Sequence, residues 1–369
     1  MRALAPTLLA LVCLLVLPAA ADGRRERIPW LTFNEVSLKG EGRVLSRHNF
    51  FADAAALSPD RRRFAYVRYT CDGCRKDRRL WLADVGSPRE RVLVDVPIGI
   101  TQVVWAPDGK ALALTLYDNP DAHGLWIAHS DGTQLRRVAG GGGPQWSPDS
   151  KLLAFTEAGK VVVVFVESGD RRLSVPGSGP RWSPDGKYLA FTSGTYPNSS
   201  VSLVPLESGA VRVLGRGTEP LLWSPKGKYI AYTRDPSNPN CRAEVRIVAV
   251  ATGRHRSIAC GFVSSWSPDG RRIAFNRFAY SGNPLFVAPS QGGRARRLAD
   301  EAWDPLWSPD SKWIAFTRAI RYCQSTLAVV RVDTGRTRRL VTPARLVTSL
   351  AWSAQGRKVL YQGERCSNQ

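Results

Sequence analysis

The chain has 369 residues, and its 52 Lys and Arg outnumber its 31 Asp and Glu to give a formal net charge of +21 at pH 7. Such an excess favours anionic partners without naming the anion. After residue 21 no apolar run approaches the roughly 20 residues that a membrane helix needs, which excludes a helical membrane protein.

Residues 1–21 have the make-up of an export signal peptide. Arg2 supplies the positive end, Leu8 to Leu17 the apolar stretch, and Ala19-Ala20-Ala21 the small residues for cleavage before Asp22. The alternative is a membrane anchor, for which the apolar stretch is too short. The processed chain is expected to be soluble and secreted or periplasmic. Residues 22–30 form a short linker, and residues 31–369 form the folded domain. Cleavage removes Cys13 and leaves Cys71, Cys74, Cys241, Cys260, Cys323 and Cys366, an even set that suits disulfides in an oxidising compartment. Cys71-Asp72-Gly73-Cys74 has no second C-x-x-C to complete a zinc site.

From residue 56 onward one phrase recurs. It reads ALSPDRRRFAYV from Ala56, VWAPDGKALALT from Val104, QWSPDSKLLAFT from Gln145 and RWSPDGKYLAFT from Arg181. It continues as LWSPKGKYIAYT from Leu222, SWSPDGRRIAFN from Ser265, LWSPDSKWIAFT from Leu306 and AWSAQGRKVLYQ from Ala351. The lead residues are Leu57, Trp105, Trp146, Trp182, Trp223, Trp266, Trp307 and Trp352, spaced 36 to 48 residues apart. Ser-Pro-Asp-Gly fits a type I turn: Ser caps it, Pro presets φ, and Gly closes it. The run after the turn, as in YLAFT, lacks alternation, which predicts a strand covered on both faces. Each phrase is therefore a hairpin of strands A and B. A second hairpin, strands C and D, follows it, as in LWIAHSDGTQLRRVA from Leu125 and EVRIVAVATGRHRSIA from Glu244. No segment has a helical period.

These units predict an all-β chain: a single β-propeller of eight four-stranded blades, with seven as the alternative count. Eight units over residues 31–369 give about 42 residues each, the range for propeller blades. The last phrase leaves too few residues for its own C and D strands. The segment from Phe33 to Phe50 is a hairpin without a phrase, so N- and C-terminal strands are expected to share the last blade and leave no open end.

The W-S-P-D-G-K-x-[IL]-A-[FY]-T phrase resembles the WD-like propeller repeat of the TolB type, also seen in prolyl-oligopeptidase propellers. The resemblance covers residues 31–369. It implies the propeller fold and says little of function, because a propeller is a scaffold with many uses. TolB carries an α/β domain and the peptidases append a hydrolase domain; neither is expected within residues 31–369, which the repeat fills.

The lead tryptophans are expected to pack blade against blade, and the turn aspartates Asp108, Asp149, Asp185, Asp269 and Asp310 to form turns. Strand D carries arginines in most blades, among them Arg91, Arg136, Arg172, Arg212, Arg256, Arg296 and Arg338. On the outer edge they would block strand-to-strand association. The B–C and D–A loops open on one end of the ring. There strand B ends in Arg68, Arg234, Arg277 and Arg318, in blades 1, 5, 6 and 7, with Leu116, Glu157, Ser193 and Gln362 elsewhere. Tyr69, Tyr117, Tyr196, Tyr280, Arg321 and Tyr322 join them, and Arg with Tyr is the composition of recognition surfaces. The candidate ligand-binding set is Arg68, Arg234, Arg277, Arg318, Arg321, Tyr280 and Tyr322, on one side of the ring.

No nucleophile elbow, H-E-x-x-H or phosphate loop is present, and His48, His123, His129 and His255 are too scattered to predict a metal cluster. No catalytic residue, metal or cofactor is assigned. The leading expectation is a monomeric binding module for a protein, peptide or anionic envelope polymer, with no specific nucleic acid. The alternative is a propeller lyase or hydrolase with its site in the central funnel. Disulfides are expected between Cys241 and Cys260, which bracket one C–D hairpin, between Cys323 and Cys366 of adjacent blades, and locally between Cys71 and Cys74.

Overall fold

Each blade starts from the chemistry of its turn. In a computed structural model of the chain, Ser147 Oγ donates to Asp149 Oδ1 at 2.6 Å, and the same carboxylate accepts the Lys151 amide at 3.1 Å. Ser147 Oγ also accepts the Leu152 amide at 2.9 Å, so one buried hydroxyl closes the hairpin from inside. The arrangement repeats around Ser183, Ser267 and Ser308. The Ser58 and Ser183 hydroxyls hold the carboxyls of Asp60 and Asp185 below the usual carboxylate range. The turn aspartates therefore serve the turn.

The last turn residue is left-handed. Gly109 and Gly186 sit there at φ 70°. Arg61, Ser150 and Ser311 occupy it without glycine, at φ 61°, 63° and 60°. Each of these sends its side chain back to the preceding blade. Ser150 Oγ accepts the Asp108 amide, Ser311 Oγ accepts the Asp269 amide, and the Arg61 guanidinium donates to the Trp352 carbonyl. A left-handed non-glycine residue costs roughly 1–2 kcal/mol, which these bonds offset.

The structure describes residues 31–39, 41–48, 51–69, 79–85, 89–94, 99–117, 123–235, 241–277, 283–321, 324–340, 346–353 and 355–364. They form eight four-stranded antiparallel sheets around a common axis, with no helix. Blades 1 to 7 span residues 51–94, 100–139, 142–176, 178–216, 218–260, 262–299 and 303–339. Blade 8 takes strands A and B from Leu346–Trp352 and Lys358–Glu364, and strands C and D from Leu31–Ser37 and Gly42–His48. Leu31 pairs with Glu364 and Ser37 with Lys358, so the shared blade is as the repeat count requires.

The core is divided among the seams. Seven apolar clusters each straddle two consecutive blades, from blades 1 and 2 to blades 7 and 8. Strand B feeds two of them at once: Leu189 and Phe191 pack toward blade 3, and Ala190 toward blade 5. That is why YLAFT does not alternate.

Two rings of hydrogen bonds reinforce these seams. Near the axis, the lead tryptophan of one blade donates its indole N–H to a strand A carbonyl of the blade before. Trp105 reaches Ala56 O at 3.0 Å, Trp146 reaches Val104 O at 3.1 Å, and Trp182, Trp223, Trp266 and Trp352 make the same bond at 2.9 Å. Trp307 Nε1 is buried without a partner among the described residues. At the rim, a strand D arginine of one blade donates to a carbonyl just past strand C of the next. Arg91 reaches Ser130 O and Asp131 O, each at 3.0 Å, and Arg296 reaches Asp333 O at 2.6 Å. Arg136, Arg172, Arg212, Arg256 and Arg338 do the same at their seams. The edge arginines expected only to keep strands apart are thus also latches between blades.

Candidate functional site

Antiparallel strands place the ends of strand B and the starts of strand A at one end of the ring. All four strand B arginines lie at that end, but their surroundings differ. Arg68 Nη1 pairs with Glu90 Oε1 at 3.0 Å, and its guanidinium lies 4.7 Å over the Trp81 ring. Glu90 also accepts the Tyr66 hydroxyl at 2.8 Å; burial and this carboxylate push the Tyr66 hydroxyl far above its ordinary range. Arg234 Nε pairs with Glu244 Oε2 at 3.2 Å. Arg277 Nε donates to Cys260 O at 2.9 Å across the seam between blades 5 and 6, and its guanidinium stacks 4.3 Å over Phe286.

Arg318 is different. It is exposed, and among the described residues its guanidinium has no hydrogen-bond or ion-pair partner. On the neighbouring strand Trp303 pairs in register with Thr317, the residue before Arg318. Trp303 leaves 43% of its surface in solvent. Strand A bulges here as it does in blades 3 and 4: Asp304 takes φ 51°, and the A–B register slips between Trp303 and Leu306. Trp303 stands on the mouth side of this bulge, and the lead Trp307 on its buried side. Blade 7 therefore presents an exposed indole and an uncompensated cation on adjoining strands at the same mouth of the ring. The same end exposes Tyr117 and Tyr196, at 68% and 60%, with His123 edge-on to Tyr117 at 5.1 Å between ring centroids.

The candidate set thus divides. Arg68, Arg234 and Arg277 are engaged with the protein, while Arg318 is open. Arg321 ends strand B of blade 7, paired with Gln324. Tyr280 and Tyr322 lie outside the described residues, as do Cys71, Cys74, Cys323 and Cys366. Glu157, on blade 3, pairs with Arg171 at 2.5 Å. The bridge between Cys241 and Cys260 is present, with Cα atoms 5.4 Å apart, and it pins the blade 5 hairpin at this same end. Trp303 went unnoticed in the sequence. Its one signal there is a second Trp four residues before a lead position. Among the described residues, no three or more His, Cys, Asp or Glu side chains converge as a metal site would require.

Fold and loop face together define a β-propeller with an aromatic and cationic rim at one mouth. The chain belongs to the TolB beta propeller domain family, whose model matches residues 43–257. No curated protein matches the chain in sequence. Solved structures share the fold. A eukaryotic initiation factor is 16% identical with a TM-score of 0.61, over 89% of each chain. A prolyl endopeptidase is 17% identical with a TM-score of 0.58, over 84% of this chain and 53% of its own. An oligogalacturonate lyase in complex with manganese is 14% identical with a TM-score of 0.53, over 90% of each chain. At such identities the likeness is one of fold alone.

Proposed function

We propose that the protein is an extracytoplasmic binding module that holds a protein or peptide segment, or an anionic envelope polymer, at the mouth formed by the B–C and D–A loops. The export-type residues 1–21, which lie outside the described residues, and the Cys241–Cys260 disulfide support the compartment. Among the described residues no helix is long and apolar enough to cross a membrane. The observation that carries the binding role is that one mouth of the ring exposes both Trp303 and Arg318, whose guanidinium has no partner among the described residues. An indole offers area for stacking, and a free guanidinium offers forked donors to a carboxylate or phosphate. No observation among the described residues favours the enzymatic alternative.

The test is capture of envelope components by the immobilised protein at physiological salt, quantified for three forms. W303A/R318Q should lose at least about tenfold of the captured ligand. R339Q removes one charge as well, from an exposed rim arginine that makes no latch, and should bind as the parent does. Equal capture by all three forms would sink the proposal.

A further inference from the structure

The opposite end of the ring differs from the loop face. There an open groove of about 1260 Å³ runs along blades 4 and 5, where strand B begins and strand C ends. Arg212, Lys228, Arg254 and Arg256 line it, and among the described residues no Asp or Glu does. Arg212 and Arg256 are rim latches whose acceptors, Val250 O, Ser290 O and Gln291 Oε1, carry no charge to neutralise them. Lys228 and Arg254 are exposed, and among the described residues they make no ion pair. This cation density differs from the loop face, where Glu90 and Glu244 neutralise two of the four arginines.

The rest of the lining narrows the ligand. Val211 is 45% exposed and, with Pro205, Ala210 and Ala251, gives the groove an aliphatic surface that Tyr188 and Tyr229 flank. His255 is held in place, one ring nitrogen 2.9 Å from the Tyr232 hydroxyl and the other 2.7 Å from Leu214 O. The Leu214 contact requires an N–H on Nε2, which leaves Nδ1 of the neutral ring to accept from Tyr232. His255 therefore braces the seam between blades 4 and 5 with both ring nitrogens engaged. A polyanionic sugar would satisfy the cations but would bring no side chain for the aliphatic surface. An acidic peptide segment carrying interspersed aliphatic residues satisfies both.

We infer that this groove is a docking site for an acidic, aliphatic-containing peptide segment, separate from the loop face. The probe is a short fluorescein-labelled peptide of alternating Glu and Leu, read by anisotropy against the oxidised protein. It should bind at least about tenfold more tightly than the peptide with Gln in place of Glu. K228Q/R254Q should weaken it at least about tenfold, while W303A/R318Q leaves it unchanged. Neither Lys228 nor Arg254 is a latch, so the thermal midpoint of K228Q/R254Q should match the parent and separate lost binding from lost folding. Equal binding of the Gln peptide would overturn the inference. So would an equal loss in R294Q/R339Q, which removes the same charge elsewhere, or binding of polygalacturonate in place of the peptide.

Discussion

The inner and outer rings of blade-to-blade bonds share an acceptor, a main-chain carbonyl, and differ in donor and surroundings. The inner donors are neutral indoles set among seam clusters, and Trp146 is buried. The outer donors are charged guanidiniums in open solvent, where water competes for every N–H. A bond to a buried carbonyl is expensive to lose because nothing replaces it, whereas a bond at the rim is exchanged for hydration. The tryptophans should therefore carry the stability of the ring, and the arginines should tune its outline while leaving their charge free to act at a distance.

The largest effect expected is at the inner ring. Trp146→Ala should cost about 3–5 kcal/mol in urea unfolding, through lost packing. Trp146→Phe keeps most of the area and removes the N–H, so the stranded Val104 carbonyl should cost about 1–3 kcal/mol. Trp307→Phe tests the attribution. Trp307 Nε1 has no partner among the described residues, so this change should cost at least about 1 kcal/mol less than Trp146→Phe. Equal costs would mean that the indole bonds add nothing to packing.

At the rim, replacing Arg91, Arg212 or Arg296 by Gln should cost less than about 1 kcal/mol each, and the three together should add, since they lie on separate seams. A loss as large as that of Trp146→Ala would reverse the ranking of the rings.

The smallest effect belongs to the turns. Asp60 and Asp185 have carboxyls held below the usual range, chiefly by Ser58 and Ser183. Their folded pKa is lower than the unfolded one, so the stability they add is complete above about pH 4 and fades as pH falls below that value. The fall in melting temperature from about pH 6 to about pH 3 should be shallower in Asp185→Asn than in the parent. Matching slopes would remove these carboxylates from the account of acid stability.

Much of this architecture was legible because the phrase specifies a turn, a strand and a spacing at once. Eight phrases with one unpaired hairpin leave a single way to close the ring. The Cys241–Cys260 bridge was legible for the same reason, since both residues sit at one end of one hairpin. The state of each loop-face arginine was not. Glu244 reaches Arg234 through strand register, and Glu90 reaches Arg68 across strand C, neither of which a linear reading displays. The rim latches were hidden too, because their acceptors are carbonyls that any sequence supplies. Trp303 was masked by resembling the lead residues.

Blade 8 has a consequence in time. Its strands come from residues about 300 positions apart, and Lys358 reaches Glu35 at 2.9 Å across 323 residues. Closing so long a loop costs roughly 5 kcal/mol of chain entropy before any contact repays it. Residues 31–37 can pair locally with residues 42–48 but lack their strand B partner until residues 358–364 are available, which makes completion of this sheet a late, high-contact-order step in folding. Next to it, blade 1 carries Leu57 where every other blade carries Trp, so no indole ties blade 1 back to blade 8, and the Arg61 bond to Trp352 O serves instead. The place where the ring shuts last thus lacks the indole bond that fastens most other seams, and native-state opening, read by hydrogen exchange, is expected to start there.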